Sequence, residues 1–121
     1  MSHLDWELGI STNTLGDRRI GLSRLRALEE AGVRYFEFPL KSSHFDLDDQ
    51  NLVEAIKKYL RNSSLKCWTI HSTSGKDHFS RFTGSRQESS LGVLKKCVEV
   101  ATELAVRRLV IHPGGPPIPE E

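Results

Sequence analysis

Four short apolar runs alternate along the chain with three longer segments in which apolar residues recur every three or four positions. The runs are rich in β-branched, aromatic and aliphatic residues and end at polar or turn residues, as buried strands do. They cover residues 6–11, 33–39, 65–72 and 107–113. Strands that alternate with helices in the order β-α-β-α-β-α-β predict an α/β fold with a parallel sheet and right-handed crossovers.

The first two helical segments carry terminal signals beside their apolar stripes. In the first, leucines recur every three residues from Leu22 to Leu28, and Gly32 follows as a residue that readily adopts the left-handed conformation found after helices. In the second, Asp48 and Asp49 begin the helix and basic residues end it, which suits the helix dipole. The stripe of the second segment consists of Leu52, Ile56 and Leu60.

The third helical segment begins with the letters "SRQE". Ser85 as the N-cap and Glu88 three residues later predict a capping box. The apolar positions that we expect to face the core are Leu91, Leu94, Val98, Ala101 and Leu104.

Length and composition indicate one soluble intracellular domain. A chain of 121 residues is long enough for one compact domain and not for two. We see no secretory signal and no run of about 18 apolar residues, so we expect a cytoplasmic protein without a membrane span. The formal net charge of +1 makes nucleic acid an unexpected partner. Cys67 and Cys97 lie in apolar surroundings, and we expect reduced thiols.

Polar side chains follow the apolar run of each predicted strand. Ser11 ends the first strand, Glu37 lies in the second, His71 ends the third and His112 ends the fourth. Because ligands of parallel α/β folds gather at the carboxyl ends of the strands, we expect these groups on one rim. Imidazole and carboxylate bind Zn, Mn and Fe, and imidazole also transfers protons near neutral pH.

The competing interpretation of these groups is structural. A lone histidine after an apolar run is more often a hydrogen-bonded structural group than a ligand, and Glu37 more often has a structural role, such as facing a lysine, than a functional one. Two histidines at equivalent strand ends make a functional role about as plausible. The remaining histidines, His3, His44 and His78, lie in terminal or loop sequence, and we expect them to be solvated.

Four stretches resemble, in order, the first four β/α units of the xylose-isomerase-like TIM-barrel family. They read "LGISTNTLG", "LEEAGVRYFEF", "WTIHSTSG" and "LKKCVEVATELAVRRLVIHPGG", and they span residues 8–115. The resemblance implies a single partial domain over residues 1–121, the first half of a (β/α)8 barrel; an open doubly wound sheet is the alternative. Family members usually carry a glycine where Ala105 stands, a departure without obvious cost.

The family contains sugar and sugar-phosphate isomerases and epimerases, and also apurinic-site endonucleases. In the isomerase branch, positions matching His71 and His112 line the substrate pocket, and in the endonuclease branch they bind zinc. Glu37 is the candidate catalytic residue that supports this rim. The resemblance implies a divalent metal, Mn, Mg or Zn, whose main ligands in the isomerase branch lie on strands five to eight.

Three functions follow from the resemblance. The first is metal-assisted isomerisation or epimerisation of a carbohydrate once a C-terminal half completes the barrel. The second is an apurinic-site endonuclease-like zinc hydrolase. The third is a non-catalytic, dimerising remnant. We also expect self-association or a complementary half-barrel as partner, because four apolar residues are expected to face an open barrel interior. These residues are Ile10, Phe36, Ile70 and Ile111.

Overall fold

A computed structural model of the chain describes residues 8–16, 19–40, 44–72 and 84–111. The strands are β1 (Gly9–Ser11), β2 (Tyr35–Pro39), β3 (Lys66–His71) and β4 (Leu109–Val110). The α-helices are α1 (Leu22–Glu30), α2 (Gln50–Arg61) and α3 (Gly84–Glu103). A short 3-10 helix, Thr12–Leu15, follows β1 directly.

The four strands form one sheet in the order β1-β2-β3-β4, and each neighbouring pair is parallel. The predicted parallel sheet is therefore confirmed. A consecutive strand order with a helix between successive strands is the arrangement of successive units in a (β/α)8 barrel. The described residues thus have the architecture of the first half of such a barrel.

The hydrophobic core lies between the helices and one face of the sheet. Phe36, Phe38 and Ile70 supply the sheet side of this core, and each is at most 1% exposed. Phe36 and Phe38 also meet edge to face, with ring centroids 4.8 Å apart. The helices contribute Leu25, Leu28, Val53, Ile56, Cys97, Val100 and Ala101.

The opposite face of the sheet, here called the open face, carries the side chains that alternate with this core set. Its members on the first three strands include Ser11, Tyr35, Glu37, Thr69 and His71. The expectation that Ile10, Phe36 and Ile70 face the barrel interior is wrong, whereas for Ile111 it stays a prediction. Phe36 and Ile70 pack under the helices, Ile10 packs against the same core, and Ile111 is 44% exposed.

The alternation of side chains explains this correction. In "YFEF" the carboxylate of Glu37 lies between two phenylalanines, so Glu37 and Phe36 cannot both face the barrel interior. Burying the phenylalanines under the helices leaves Glu37 on the open face, where water reaches it. The face that lacks a helical cover is therefore largely polar, not apolar.

The predicted apolar stripe of α3 is confirmed only at its carboxyl end, where Ala101 and Leu104 are buried. Cys97 and Val100 face the core, whereas the predicted core residues Leu91 and Val98 are 38% and 48% exposed. The helix carries two overlapping apolar stripes, and only packing against the sheet selects between them. The helix also begins at Gly84, which places the predicted N-cap Ser85 inside its first turn.

Helices α1 and α2 are joined at the amino-terminal edge of the sheet by one carboxylate. Glu29 accepts hydrogen bonds from the hydroxyls of Tyr59, Ser63 and Ser64 and from the Ser64 backbone N–H. These bonds, that of Tyr59 foremost, lower the pKa of Glu29 to about 2. At the other end of α2, Asp49 caps the helix by accepting from the Leu52 N–H at 3.0 Å, in line with the predicted acidic start of this helix.

Helices α1 and α3 end in the same Schellman motif, built on different residues. After α1, Gly32 has a φ of 81°, and the Val33 N–H donates to the Leu28 carbonyl. After α3, Ala105 has a φ of 56°, and the Val106 N–H donates to the Ala101 carbonyl. The left-handed conformation is free of strain for glycine and unfavourable for alanine. The alanine at position 105 therefore carries a conformational cost that its sequence context does not reveal.

We predict that Ala105→Gly raises the free energy of unfolding by about 0.5–1 kcal/mol, because it relieves the left-handed alanine. Gly32→Ala is the matched control and is expected to lower it by about 1 kcal/mol. A Cβ atom added at Gly32 would have no other atom within 4 Å, so the Gly32→Ala variant tests backbone strain without a steric clash. Urea denaturation measures both changes. A loss of stability in Ala105→Gly would contradict the assignment.

Candidate functional site

The polar groups at the carboxyl ends of the strands come from consecutive strands that lie in register. Ser11 of β1 is paired with Glu37 of β2, and Glu37 with Thr69 of β3. Two residues further along the strands, Pro39 is paired with His71, and His71 with Val110. Because all strands are parallel, these residues form one edge, which we call the rim.

Glu37 and His71 meet on the open face at this rim. His71 Nδ1 lies 3.2 Å from Glu37 Oε1, and the two side chains are 29% and 30% exposed. The two residues are diagonal neighbours on adjacent strands, a distance that long side chains span. When Nδ1 donates to the carboxylate, the proton of a neutral ring is held on Nδ1, and Nε2 becomes the acceptor atom.

A β-bulge places His71 on this face. Phe36 is paired with Cys67 and Glu37 with Thr69, so Trp68 has no partner on β2. An extra residue in one strand reverses the faces of the residues that follow it. Without Trp68 as the extra residue, His71 would share the face of Phe38 and lie under the helices.

The backbone at His71 is held on both sides. The Leu40 N–H donates to the His71 carbonyl at 2.8 Å, and the Ser72 N–H donates to the Val110 carbonyl at 2.9 Å. Ladder bonds of this kind continue to the last residue of β3, so the imidazole is presented from a fixed main chain.

The second predicted histidine, His112, lies outside the described residues, as do His3 and His78. The expectation that His71 and His112 share the rim, with Cα atoms within about 10 Å, therefore stays a prediction. Strand β4 does reach Val110 beside His71, so the chain approaches this rim two residues before His112.

His44 is a residue that sequence reasoning placed wrongly. It was expected to be solvated, but it is fully buried, and its Nε2 lies 2.8 Å from the hydroxyl oxygen of Thr12, which is also fully buried. The His44 carbonyl accepts from the Ile20 N–H at 2.8 Å. His44 thus ties the segment after β2 to the segment after β1, immediately behind Ser11 at the rim.

The neighbours of His44 explain the error. Leu40, four residues before it, and Phe45, directly after it, are both buried, so His44 lies between residues that pack in the core. A buried imidazole needs a polar partner, which Thr12 provides from a distant part of the chain. In the sequence, the apolar residues near His44, Leu40 and Phe45, were the signal from which its burial could have been predicted.

The rim residues that are described do not make a complete metal site. Zinc sites take three or four protein ligands, and no group of three or more His, Cys, Asp or Glu in the described ranges is placed to hold a metal ion. In many metal sites a carboxylate accepts a hydrogen bond from the ring nitrogen of a histidine whose other nitrogen binds the metal, and the contact of Glu37 with His71 Nδ1 resembles that arrangement. The described residues therefore supply no full set of metal ligands.

Other features of the described chain bear on the class of protein. Cys67 and Cys97 are not joined by a disulfide, as predicted, and burial raises the pKa of the Cys67 thiol to about 12. No helix in the described ranges has the length and apolar character needed to cross a bilayer.

We predict that Thr12 and His44 are energetically coupled. Thr12→Val and His44→Leu should each lower the free energy of unfolding by about 1–3 kcal/mol, because each removes the hydrogen bond between the Thr12 hydroxyl and His44 Nε2. The double variant should lose clearly less than the sum, since this one hydrogen bond is lost in both single variants. A double-mutant cycle, with each free energy of unfolding measured by urea denaturation, isolates the interaction energy of the pair from the energy of the other contacts that each side chain makes. Strictly additive losses would show that the hydrogen bond contributes nothing.

Comparison with known families identifies the fold family independently of the geometry. Residues 25–121 match the family model described as xylose isomerase-like TIM barrel. No curated protein sequence matches the chain. The family match covers most of the chain, includes both Glu37 and His71, and agrees with the parallel sheet in consecutive strand order. The chain therefore belongs to the xylose isomerase-like TIM-barrel family.

Proposed function

We propose that this chain forms one wall of a carbohydrate pocket in an isomerase or epimerase of the xylose isomerase-like family. The observation that carries the proposal is the contact between Glu37 and His71 on the open face at the rim. Both side chains are about one third exposed, so a small polar ligand can reach them while their positions are held by the sheet.

The pair suits the chemistry of a sugar hydroxyl. Glu37 holds the His71 ring in one orientation through the contact with Nδ1. His71 Nε2 is then the atom that accepts a hydrogen bond or a proton from a substrate hydroxyl. Ser11, paired with Glu37 on the neighbouring strand, adds a hydroxyl to the same wall.

A closed barrel of eight strands needs four strands beyond those in this sheet. Those strands would complete the pocket and, by family resemblance, carry most of the metal ligands. We therefore propose that the 121 residues bind carbohydrate weakly and do not convert it alone. A divalent metal, Mn, Mg or Zn, would belong to the completed pocket.

We predict that glucose, fructose and their 6-phosphates, titrated into ¹⁵N-labelled protein, shift the backbone amides of Glu37, His71 and Ser72. Half of a pocket should bind with a dissociation constant on the order of 1 mM. His71→Ala should abolish the shifts because it removes the acceptor.

Lys58→Ala is the matched control, since Lys58 is an exposed side chain on α2. It should leave the titration unchanged. Shifts that map away from the rim, or that persist in His71→Ala, would contradict the proposed pocket.

A second candidate is the zinc hydrolase of the endonuclease type. The same contact favours it, because a carboxylate on one ring nitrogen commonly orients a histidine whose other nitrogen binds metal. In this candidate His71 and His112 are the zinc ligands that the chain contributes.

Zinc titration separates the two candidates. For the carbohydrate pocket we predict a zinc dissociation constant weaker than about 1 μM by calorimetry, because two protein ligands are fewer than the three or four that zinc sites use. Tighter binding that is lost in both His71→Ala and His112→Ala would favour the zinc hydrolase instead.

A further inference from the structure

We propose that Arg108 makes this pocket selective for an anionic carbohydrate, by binding a carboxylate or phosphate group of the ligand while His71 contacts a hydroxyl. This inference rests on the proposed function and deepens it, because it names the class of carbohydrate and the way in which the ligand is oriented. The observation that carries it is the guanidinium held over the Trp68 ring on the open face.

Arg108 directly precedes β4 and lies on the open face. Leu109 is paired with Ile70 and packs against the core, so the residue before it belongs to the opposite face. The Ile70 N–H donates to the Arg108 carbonyl at 2.9 Å, which fixes the main chain there. Continuing this pairing by one residue sets Arg108 level with Thr69, which is itself paired with Glu37. The arginine therefore stands at the pairing level of Glu37.

The Trp68 ring holds the guanidinium in place. The guanidinium carbon lies 4.0 Å from the ring centre, which is within the range of a cation–π contact. The ring is itself fixed edge to face against Tyr35, with centroids 5.4 Å apart. Contact with the face of a ring makes no conventional hydrogen bond, so it leaves the N–H donors of the guanidinium available to a ligand. Their planar fork matches two oxygens of a carboxylate or phosphate.

No carboxylate within the described ranges pairs with Arg108. The ion pairs found there join Lys57 with Glu54, Lys96 with Asp48 and His71 with Glu37. Glu37, the carboxylate at the same pairing level, thus contacts the imidazole instead. Arg108 is exposed, so an anionic group of a ligand can reach its donors.

The position of Arg108 relative to His71 fixes how such a ligand lies. His71 is paired with Val110, so Arg108 is one strand across from it and two residues back. This offset places the two Cα atoms about 8 Å apart, and a hexose with an anionic group at one end can contact both side chains. Glu37 repels an anion near His71, whereas Arg108 attracts it. The anionic group is therefore placed on the β4 side, and a hydroxyl is left for His71 Nε2.

Three ligands titrated into ¹⁵N-labelled protein test the inference: glucose, glucose 6-phosphate and glucuronate. We expect at least one of the anionic sugars to bind about tenfold more tightly than glucose, because an arginine adds a charge-assisted hydrogen bond. The preferred anion identifies phosphate or carboxylate as the group that is bound. It should shift the Arg108 amide and the Trp68 indole N–H, and all ligands that bind should shift His71.

Arg108→Met removes the charge and keeps an apolar side chain beside Trp68. We expect it to lower the affinity for the preferred anionic sugar about tenfold, to that for glucose, and to leave the affinity for glucose unchanged. Arg107→Met is the matched control, since Arg107 is exposed and has no cation–π contact in the part of the chain that is described. It should change no affinity. Circular dichroism checks the fold, and Arg108→Gln replaces Arg108→Met if that variant unfolds.

Two results would overturn the inference and leave the proposed function standing, because glucose would still bind at the rim. One is equal affinity of the wild type for all three sugars, and the other is a preference for anionic sugars that persists in Arg108→Met. If none of the three ligands shifted any amide, both the inference and the proposed function would fail.

A second copy of the chain is the competing occupant, since its own Glu37 also offers a carboxylate. Shifts of Arg108 and Trp68 that grow with protein concentration in the absence of ligand, and that are lost in Arg108→Met, would identify that occupant and overturn the inference.

Discussion

The packing of β2 and β3 against the three helices is the constraint on which the rest of the structure depends. Phe36, Phe38 and Ile70 are buried almost completely in this contact, and each such side chain stabilises the fold by about 1.5–3 kcal/mol. Because side chains alternate along a strand, burying these residues commits Glu37 and His71 to the opposite face. The candidate site is thus a consequence of how the core is filled.

A single extra residue in β3 determines which of its side chains face the helices and which face the open side. Trp68 is the extra residue of the bulge in β3, and it brings Ile70 under the helices and His71 to the rim. The Trp68 ring also contacts the Tyr35 ring and the Arg108 guanidinium. A local irregularity of the sheet therefore decides the face on which His71 lies. Bulges next to functional sites commonly redirect side chains in this way.

The polar character of the open face changes how assembly is understood. An apolar interior would make any apolar partner acceptable, including a second copy. The face instead presents Glu37 in contact with His71, and the Arg108 guanidinium lies over the Trp68 ring. Specificity in such an interior comes from matching charges, since an unmatched buried charge is far more costly than an imperfect apolar contact.

The sequence by itself determined the alternation of strands and helices, the parallel sheet, the family, and the candidates Glu37 and His71. These follow from local periodicity, from helix-terminal residues such as Asp49 and Gly32, and from motifs short enough to read directly. Only the tertiary structure decided which stripe of α3 is buried, that His44 lies inside against Thr12, and that Ala105 is left-handed. Each of these depends on contacts between distant segments. The face on which His71 lies depends on the pairing register of β3 with β2, and a register is a property of two strands together that neither strand encodes alone.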